Sequence, residues 1–302
     1  MKHPVRRRLE QIAVAGAAQA TRLLTYLPLR WAWWVADNWA GLMILAAPRR
    51  QRMADANVAA TFPDLTARER RQIIRRSVRN VSRTMLELFM LPRLSQEDLG
   101  RLIETPDLTP LREAAQSGDG VIFITAHFGN WEFLAAHVAH QVGPPTVIAR
   151  DATHPVTAQM INSARESHGL RILGRRDTRD MLRVLNAGGI LGMLPDQHAA
   201  VGGVLMDFLG RPAWTFTGPA LLASRTGARV FATFCVRDFN GGFKMVLSPE
   251  IKPVRTGDRE ADVLAHTRLI SDAIEQVIRA HPDNWLWLHN RWKEPKQRVA
   301  EA

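Results

Sequence analysis

Cysteine is almost missing from this chain: 302 residues include a single one, Cys235. One thiol closes no internal disulfide and builds no cysteine-rich metal site, so nothing here calls for an oxidising compartment. Within the run Val230 to Val236 it reads as a packed strand residue. Metal-ligand clusters are also lacking, and the chain is expected to need neither a metal nor a resident cofactor. Internal repeats and low-complexity tracts are missing. No helix-turn-helix, zinc module or aromatic platform marks a nucleic-acid binder. A cleaved export signal fits poorly, because the apolar run from Ile12 to Ala18 is short and alanine-rich. Acidic residues are in deficit, 29 Asp and Glu against 40 Lys and Arg, for a formal charge of +11. That imbalance points to a polyanionic partner: nucleic acid, an anionic membrane face or an acidic carrier protein.

At this length, with 46% hydrophobic residues, the chain buries a substantial core as one large domain with or without an appendage. The stretch Leu23 to Ala47 is mostly apolar and carries Trp31, Trp33, Trp34 and Trp39. It is long enough to cross a bilayer if helical. Arg30 and Asp37 interrupt it, and arginines flank it on both sides, Arg6, Arg7, Arg8 and Arg22 before and Arg49, Arg50 and Arg52 after. A tryptophan-rich, basic-flanked, imperfectly apolar segment predicts a helix lying at a membrane surface, with an imperfect span and a helix packed on the protein's own core as the alternatives. Residues 1–48 are therefore read as an anchoring helical segment and residues 49–302 as the main domain. Next, Arg68, Arg70, Arg71, Arg75, Arg76, Arg79 and Arg83 crowd a segment in which Ile73, Ile74, Val78, Val81, Met85 and Leu86 recur. This predicts an amphipathic helix whose basic face suits anionic lipid or an acidic protein.

Beyond a connection at Leu94 to Thr109 the rhythm changes. Short apolar runs at 121–125, 145–149, 170–173, 190–194, 229–236 and 243–248 read as strands. Helical patterns fall at 131–141, 155–168, 177–187, 214–226 and 260–280. Such alternation predicts an α/β fold, a mixed and mostly parallel sheet flanked by helices. Asn240-Gly241-Gly242 marks a hairpin, and so an antiparallel section.

The stretch from Ala126 to Glu132, Ala-His-Phe-Gly-Asn-Trp-Glu, follows the buried strand pattern Val121 to Thr125. Asn130 is placed as the N-cap of the next helix. His127 then leaves the carboxyl end of a strand and Glu132 sits in a helix's first turn. In one continuous helix a spacing of five would set them about 140° apart; across a strand-loop-helix corner they can meet. An imidazole beside a carboxylate takes a proton from a hydroxyl, while the acid fixes its tautomer. The alternative is structural: His127 caps the helix and Glu132 complements its dipole. In open α/β sheets ligands gather at the carboxyl ends of strands. Arg150 and the pair Asp196-Gln197 fall at two such ends. Arg150 is a candidate for holding a phosphate or an oxyanion, and Asp196 for holding Arg150 or a substrate hydroxyl.

Four motifs carry a resemblance: His127 to Glu132, Pro195-Asp196-Gln197, Met206 to Ala213 leading to Thr217 to Ala223, and Asn284 to Lys293 (NWLWLHNRWK). Together, in this order, they resemble the bacterial lipid A biosynthesis acyltransferases, within the lysophospholipid acyltransferase superfamily. The likeness implies a lysophospholipid acyltransferase-like fold. It further implies transfer of an acyl chain from a thioester, usually on acyl carrier protein, to a hydroxyl of a phosphorylated membrane lipid, here a lipid A precursor. His127 would be the general base and Glu132 its orienting acid. Arg150 or amides near Gly129 and Asn130 would meet the oxyanion. No acyl-enzyme is implied. The implied setting is the cytoplasmic face of a bacterial inner membrane. Another glycolipid, an aminolipid or a lysophospholipid stays open as the acceptor, and a non-enzymatic basic membrane protein is the competing class. In the last motif Trp285, Trp287 and Trp292 are expected to pack a core edge, with Arg291 and Lys293 facing a headgroup.

Overall fold

The computed structural model describes Gln19 and residues 23–149, 155–199 and 202–293. The first long helix, α1 (Leu29–Ala46), has two unlike faces. Ala32, Ala36 and Ala40 recur at every fourth position and are buried, so their small side chains let the backbone approach its neighbour closely. On the other side Trp31, Trp34, Trp39, Leu42, Met43 and Leu45 are exposed, Leu45 at 79%. Among the described residues no helix is long and apolar enough to cross a membrane.

The neighbour is the long basic helix α3 (Ala67–Met90), reached after α2 (Pro48–Thr61). It starts at a capping box: the Thr66 hydroxyl accepts from the Glu69 amide at 3.3 Å, and the Thr66 amide donates back to Glu69 at 2.8 Å. The expected basic face is only partly free. Arg83 and Arg79 both bind Asp37 of α1, at 2.7 and 2.6 Å, while Arg70 pairs with Asp55 and Arg76 with Asp283. Arg68, Arg71 and Arg75 are exposed and make no ion pair among the described residues. Four of the seven arginines of that face are thus bonded within the protein.

The connection that followed in the sequence contains a short helix, α4 (Gln96–Leu102), and a two-residue strand, β1 (Ile103–Glu104). Then come α5 (Thr109–Gln116), β2 (Val121–Ile124), α6 (Trp131–Gln141), β3 (Thr146–Ala149), α7 (Pro155–Glu166), β4 (Arg171–Gly174), α8 (Thr178–Asn186) and β5 (Ile190–Met193). A hairpin β6 (Gly203–Phe208) and β7 (Arg211–Phe216) precedes α9 (Gly218–Thr226), β8 (Arg229–Arg237), β9 (Phe243–Leu247) and α10 (Arg259–Ala280). The main sheet runs β1-β9-β8-β2-β5-β3-β4. Only the β8–β9 pair is antiparallel within it, joined where the Asn-Gly-Gly turn was expected. The fold is α/β with a mostly parallel sheet flanked by helices.

β2 lies at the centre and is buried on both faces, which is why it reads as an unbroken apolar run. Ile122 and Ile124 pack with Met181 and Leu185 of α8 and Ala220 of α9, whereas Val121 and Phe123 pack with Phe133 and Leu134 of α6 and Leu111 of α5. Burial of side chains this size stabilises by about 1.5–3 kcal/mol each. The six expected strands are present. The helix expected from 214 begins only at Gly218, because Trp214 to Phe216 close the β6–β7 ladder. That hairpin turns through Leu209 and Gly210, both at positive φ.

Candidate active site

The turn between β2 and α6 is held from three sides. Asn130 caps α6 as expected, its Oδ1 accepting from the amides of Glu132 and Phe133 at 3.1 and 2.9 Å. Gly129 sits at φ +53°, and a Cβ there would lie 1.8 Å from the Cys235 carbonyl oxygen, so only glycine fits. The amides of Gly129 and Asn130 donate to the carbonyls of Asn284 and Cys235 at 3.0 and 2.9 Å. Both are engaged inside the fold and are not available to an oxyanion. Each residue shapes the turn that presents His127.

The partner of His127 is Asp196. Its Oδ1 lies 2.9 Å from His127 Nδ1, and its Oδ2 accepts from the His127 amide at 3.0 Å. Oδ2 also accepts from the indole of Trp285 at 2.9 Å. Sheet topology explains the meeting. β5 lies beside β2 with Ile124 opposite Met193, and the Thr125 amide donates to Met193, so the two chains leave the sheet together and bring residues 127 and 196 side by side. Asp196 is only 2% exposed. Burial works against its charge, but the neighbouring imidazole and three donated hydrogen bonds outweigh it and hold the carboxyl below its ordinary range. A carboxylate at this place accepts a hydrogen bond from Nδ1–H, and in that tautomer the lone pair lies on Nε2.

Glu132, the expected orienter, faces elsewhere. Arg165 of α7 clasps it with two hydrogen bonds, 2.9 and 2.7 Å, and the Trp131 indole donates to it at 2.9 Å. The corner turns the first helical residue's neighbour toward α7 rather than toward the strand end, and Asp196 fills the place at Nδ1. Glu132 reaches His127 only through Trp131, whose ring lies 5.3 Å from the imidazole. Gln197 is half-buried, and its side chain has no hydrogen-bond partner among the described residues. Arg150 lies outside the described residues. The hollows lined by Ser95 and Gln141, and by Thr146 and Arg171, adjoin neither His127 nor Asp196.

The chain matches the model of the bacterial lipid A biosynthesis acyltransferase family over residues 4–294. It belongs to that family. A phosphatidylinositol mannoside acyltransferase of Mycolicibacterium smegmatis is 28% identical over 226 residues, 73% of this chain and 72% of that protein. Escherichia coli contributes a lipid A biosynthesis palmitoleoyltransferase and a lauroyltransferase, 23% identical over 248 and 249 residues, each alignment covering 81% of this chain and 79% of the relative.

In this acyltransferase the closing motif backs the His127 pair. Phe128 bridges to Trp285, and the Leu286 amide donates to the His127 carbonyl at 3.1 Å. Trp285 and Trp287 are buried as expected, with ring centroids 4.8 Å apart. Arg291 corrects its expectation. It is fully buried, donates to the Trp214 carbonyl and to the Thr215 hydroxyl, and stacks 4.6 Å over Phe208, so it pins the β6–β7 hairpin instead of facing a headgroup. Burial lowers its pKa to about 10. Lys293 is exposed.

His289 was not singled out from the sequence. Its Nε2 accepts from the His198 amide at 3.1 Å, two residues past Asp196. Burial is the main cause of its pKa falling to about 4, so the ring is neutral at physiological pH and keeps its proton on Nδ1. Arg165 was also missed, because a lone arginine at the end of a helical pattern carries no local signal.

Proposed function

We propose that this acyltransferase moves a fatty acyl chain from a thioester, carried on acidic acyl carrier protein, to a hydroxyl of a phosphorylated membrane glycolipid. His127 is the base and Asp196 its orienting acid. The observation that carries this reading is the buried Asp196 carboxyl 2.9 Å from His127 Nδ1; with Nδ1 as the donor of that bond, Nε2 is left as the proton acceptor. The acceptor hydroxyl gives its proton to Nε2 as its oxygen attacks the thioester carbonyl carbon. Asp196 stays ionised and stabilises the imidazolium. The tetrahedral centre then collapses, the C–S bond breaks, and the departing sulfur takes the proton back from Nε2. One ester and one thiol result, with no acyl-enzyme.

The outward face of α1 supports a seat on the lipid surface. Its exposed tryptophans and leucines are flanked by exposed Arg30, Arg49, Arg50 and Arg52, which suit anionic headgroups on the cytoplasmic face of a bacterial inner membrane. Arg68, Arg71 and Arg75 offer charge to an acidic carrier.

A lipid A precursor is the acceptor favoured by the family match. The higher identity to phosphatidylinositol mannoside acyltransferases favours a glycosylated phospholipid as the second reading. Mass spectrometry of lipids from cells with the gene, without it, and with His127→Ala decides the matter. The first strain should contain a glycolipid heavier by one acyl group than that of the other two. Recovery of that species by His127→Ala would refute the assignment of the base.

A further inference from the structure

Behind the catalytic turn lies an ion pair that the proton-transfer scheme does not use. Glu87 of α3 and Arg237 at the end of β8 have side chains only 1% exposed. The guanidinium forks onto the carboxylate at 2.7 and 2.5 Å. Two further donors complete the carboxylate: the Asn130 side-chain amide at 2.7 Å and the Trp33 indole at 2.5 Å. The third guanidinium nitrogen, Nε, donates to Asn80 Oδ1 at 2.7 Å. Asn80 in turn donates to the Gly129 carbonyl at 2.9 Å, and Thr84 donates to the same carbonyl at 3.0 Å. Asn80, Thr84 and Glu87 stand on one face of α3, spaced four and three residues apart, and all are buried.

The charges are therefore placed where they bind the two residues that shape the turn. Asn130 is held by its Nδ2 while its Oδ1 caps α6. Gly129 is held by its carbonyl in the left-handed conformation that sets the path away from His127. A buried ion pair adds little net stability compared with well-packed apolar side chains, but it fixes geometry, and removing one member leaves the other charge stranded. Taking His127 as the base, we infer that Glu87 and Arg237 are positioning residues for acyl transfer. They lock the Gly129–Asn130 peptide so that Nε2 of His127 meets the acceptor hydroxyl, and Trp33 ties α1 into the same junction.

The test uses the full chain in mixed micelles, with the lauroyl thioester of acyl carrier protein and a phosphorylated glycolipid bearing free hydroxyls. Glu87→Gln turns an N–H toward existing donors on one side of the group. Turnover should fall about 10–100-fold with KM for both substrates within about twofold, because a shift of about 1 Å in a reacting group costs on that order. Folding loss is separated by the double variant Glu87→Gln/Arg237→Met. With no stranded charge it should recover most of the melting temperature, yet turnover should stay low because Asn80 has lost its anchor and the single side-chain oxygen left by Glu87→Gln can serve only one of Asn130 and Trp33. Trp33→Phe removes one N–H at a half-buried position and should lower kcat several-fold while vesicle binding is kept. Recovery of both melting temperature and kcat in the double variant, or unchanged kcat in Glu87→Gln, would overturn the inference. His127→Ala is the control: if it turns over normally, the assignment of the base fails, whereas a dead His127→Ala beside a fully active Glu87→Gln overturns the positioning role alone.

Discussion

Asp196→Asn is the sharpest probe of the site because it preserves shape and changes only the proton inventory. The native carboxylate accepts three hydrogen bonds, from the His127 amide, His127 Nδ1 and the Trp285 indole, at 3.0, 2.9 and 2.9 Å. An asparagine has one acceptor oxygen and an N–H2 group that must face one side. Turned toward the ring, it forces the proton of His127 onto Nε2 and removes the base. Turned away, it opposes the His127 amide and Trp285, and the imidazolium loses its counter-charge. Loss of the correct tautomer in comparable base–acid pairs lowers kcat by about 10⁴, or about 5 kcal/mol of barrier. His127 is 26% exposed, so water shares part of the role and a loss of about 10²–10⁴ is expected. Stability should fall by about 1–3 kcal/mol from the unmatched donor. The assay is single-turnover ester formation, followed by mass spectrometry and normalised to folded protein by urea titration. Glu132→Gln is the companion. It breaks a buried clasp on Arg165 and should cost about 3–5 kcal/mol of stability, with a much smaller loss of turnover per folded molecule. If Glu132→Gln lost more kcat than Asp196→Asn on that basis, the orienting role would belong to Glu132 after all.

Gly129→Ala should leave the protein largely insoluble or strongly destabilised, since its methyl would meet the Cys235 carbonyl at 1.8 Å; an unchanged melting temperature would contradict the turn geometry. Trp34→Glu combined with Leu45→Glu should abolish sedimentation with anionic vesicles while thermal unfolding stays near wild type, because both side chains point outward; retained sedimentation would remove the proposed seat. His289 is depressed in the folded state from 6.5 to about 4, so folding favours its neutral form. Its contribution to stability is fully present above about pH 6.5 and is lost as pH falls from there to about 4. Urea midpoints at pH 7 and pH 5 should therefore differ less for His289→Asn than for wild type.

The parts of the fold carried by local pattern were legible. β2 is an unbroken apolar run because both its faces are covered, and the α6 cap is visible because Asn130 precedes a helical pattern. β6 and β7 were not, because Pro212 and Arg211 obscure a strand that lies outside the main sheet. In the site, His127 and Asp196 were both marked by their place at strand ends. Their partnership was not, since nearness along the chain favoured Glu132 while nearness in space depends on β5 lying beside β2. Arg83, Arg237 and Arg291 were misjudged or overlooked for a related reason. Charge in a sequence reads as surface, and only the arrangement of Asp37, Glu87 and the Trp214 carbonyl shows that these three are interior.

The adjacency of β2 and β5 has a corollary for how the contact is specified. Sixty-nine residues separate the two ends of the imidazole–carboxylate contact, yet the excursion between them, through β3, α7, β4 and α8, runs out to the margin of the sheet and back. The contact itself depends on the pairing of β2 with β5 and not on the path of the chain between them. A change at that margin therefore leaves the imidazole and its carboxylate where β2 and β5 put them.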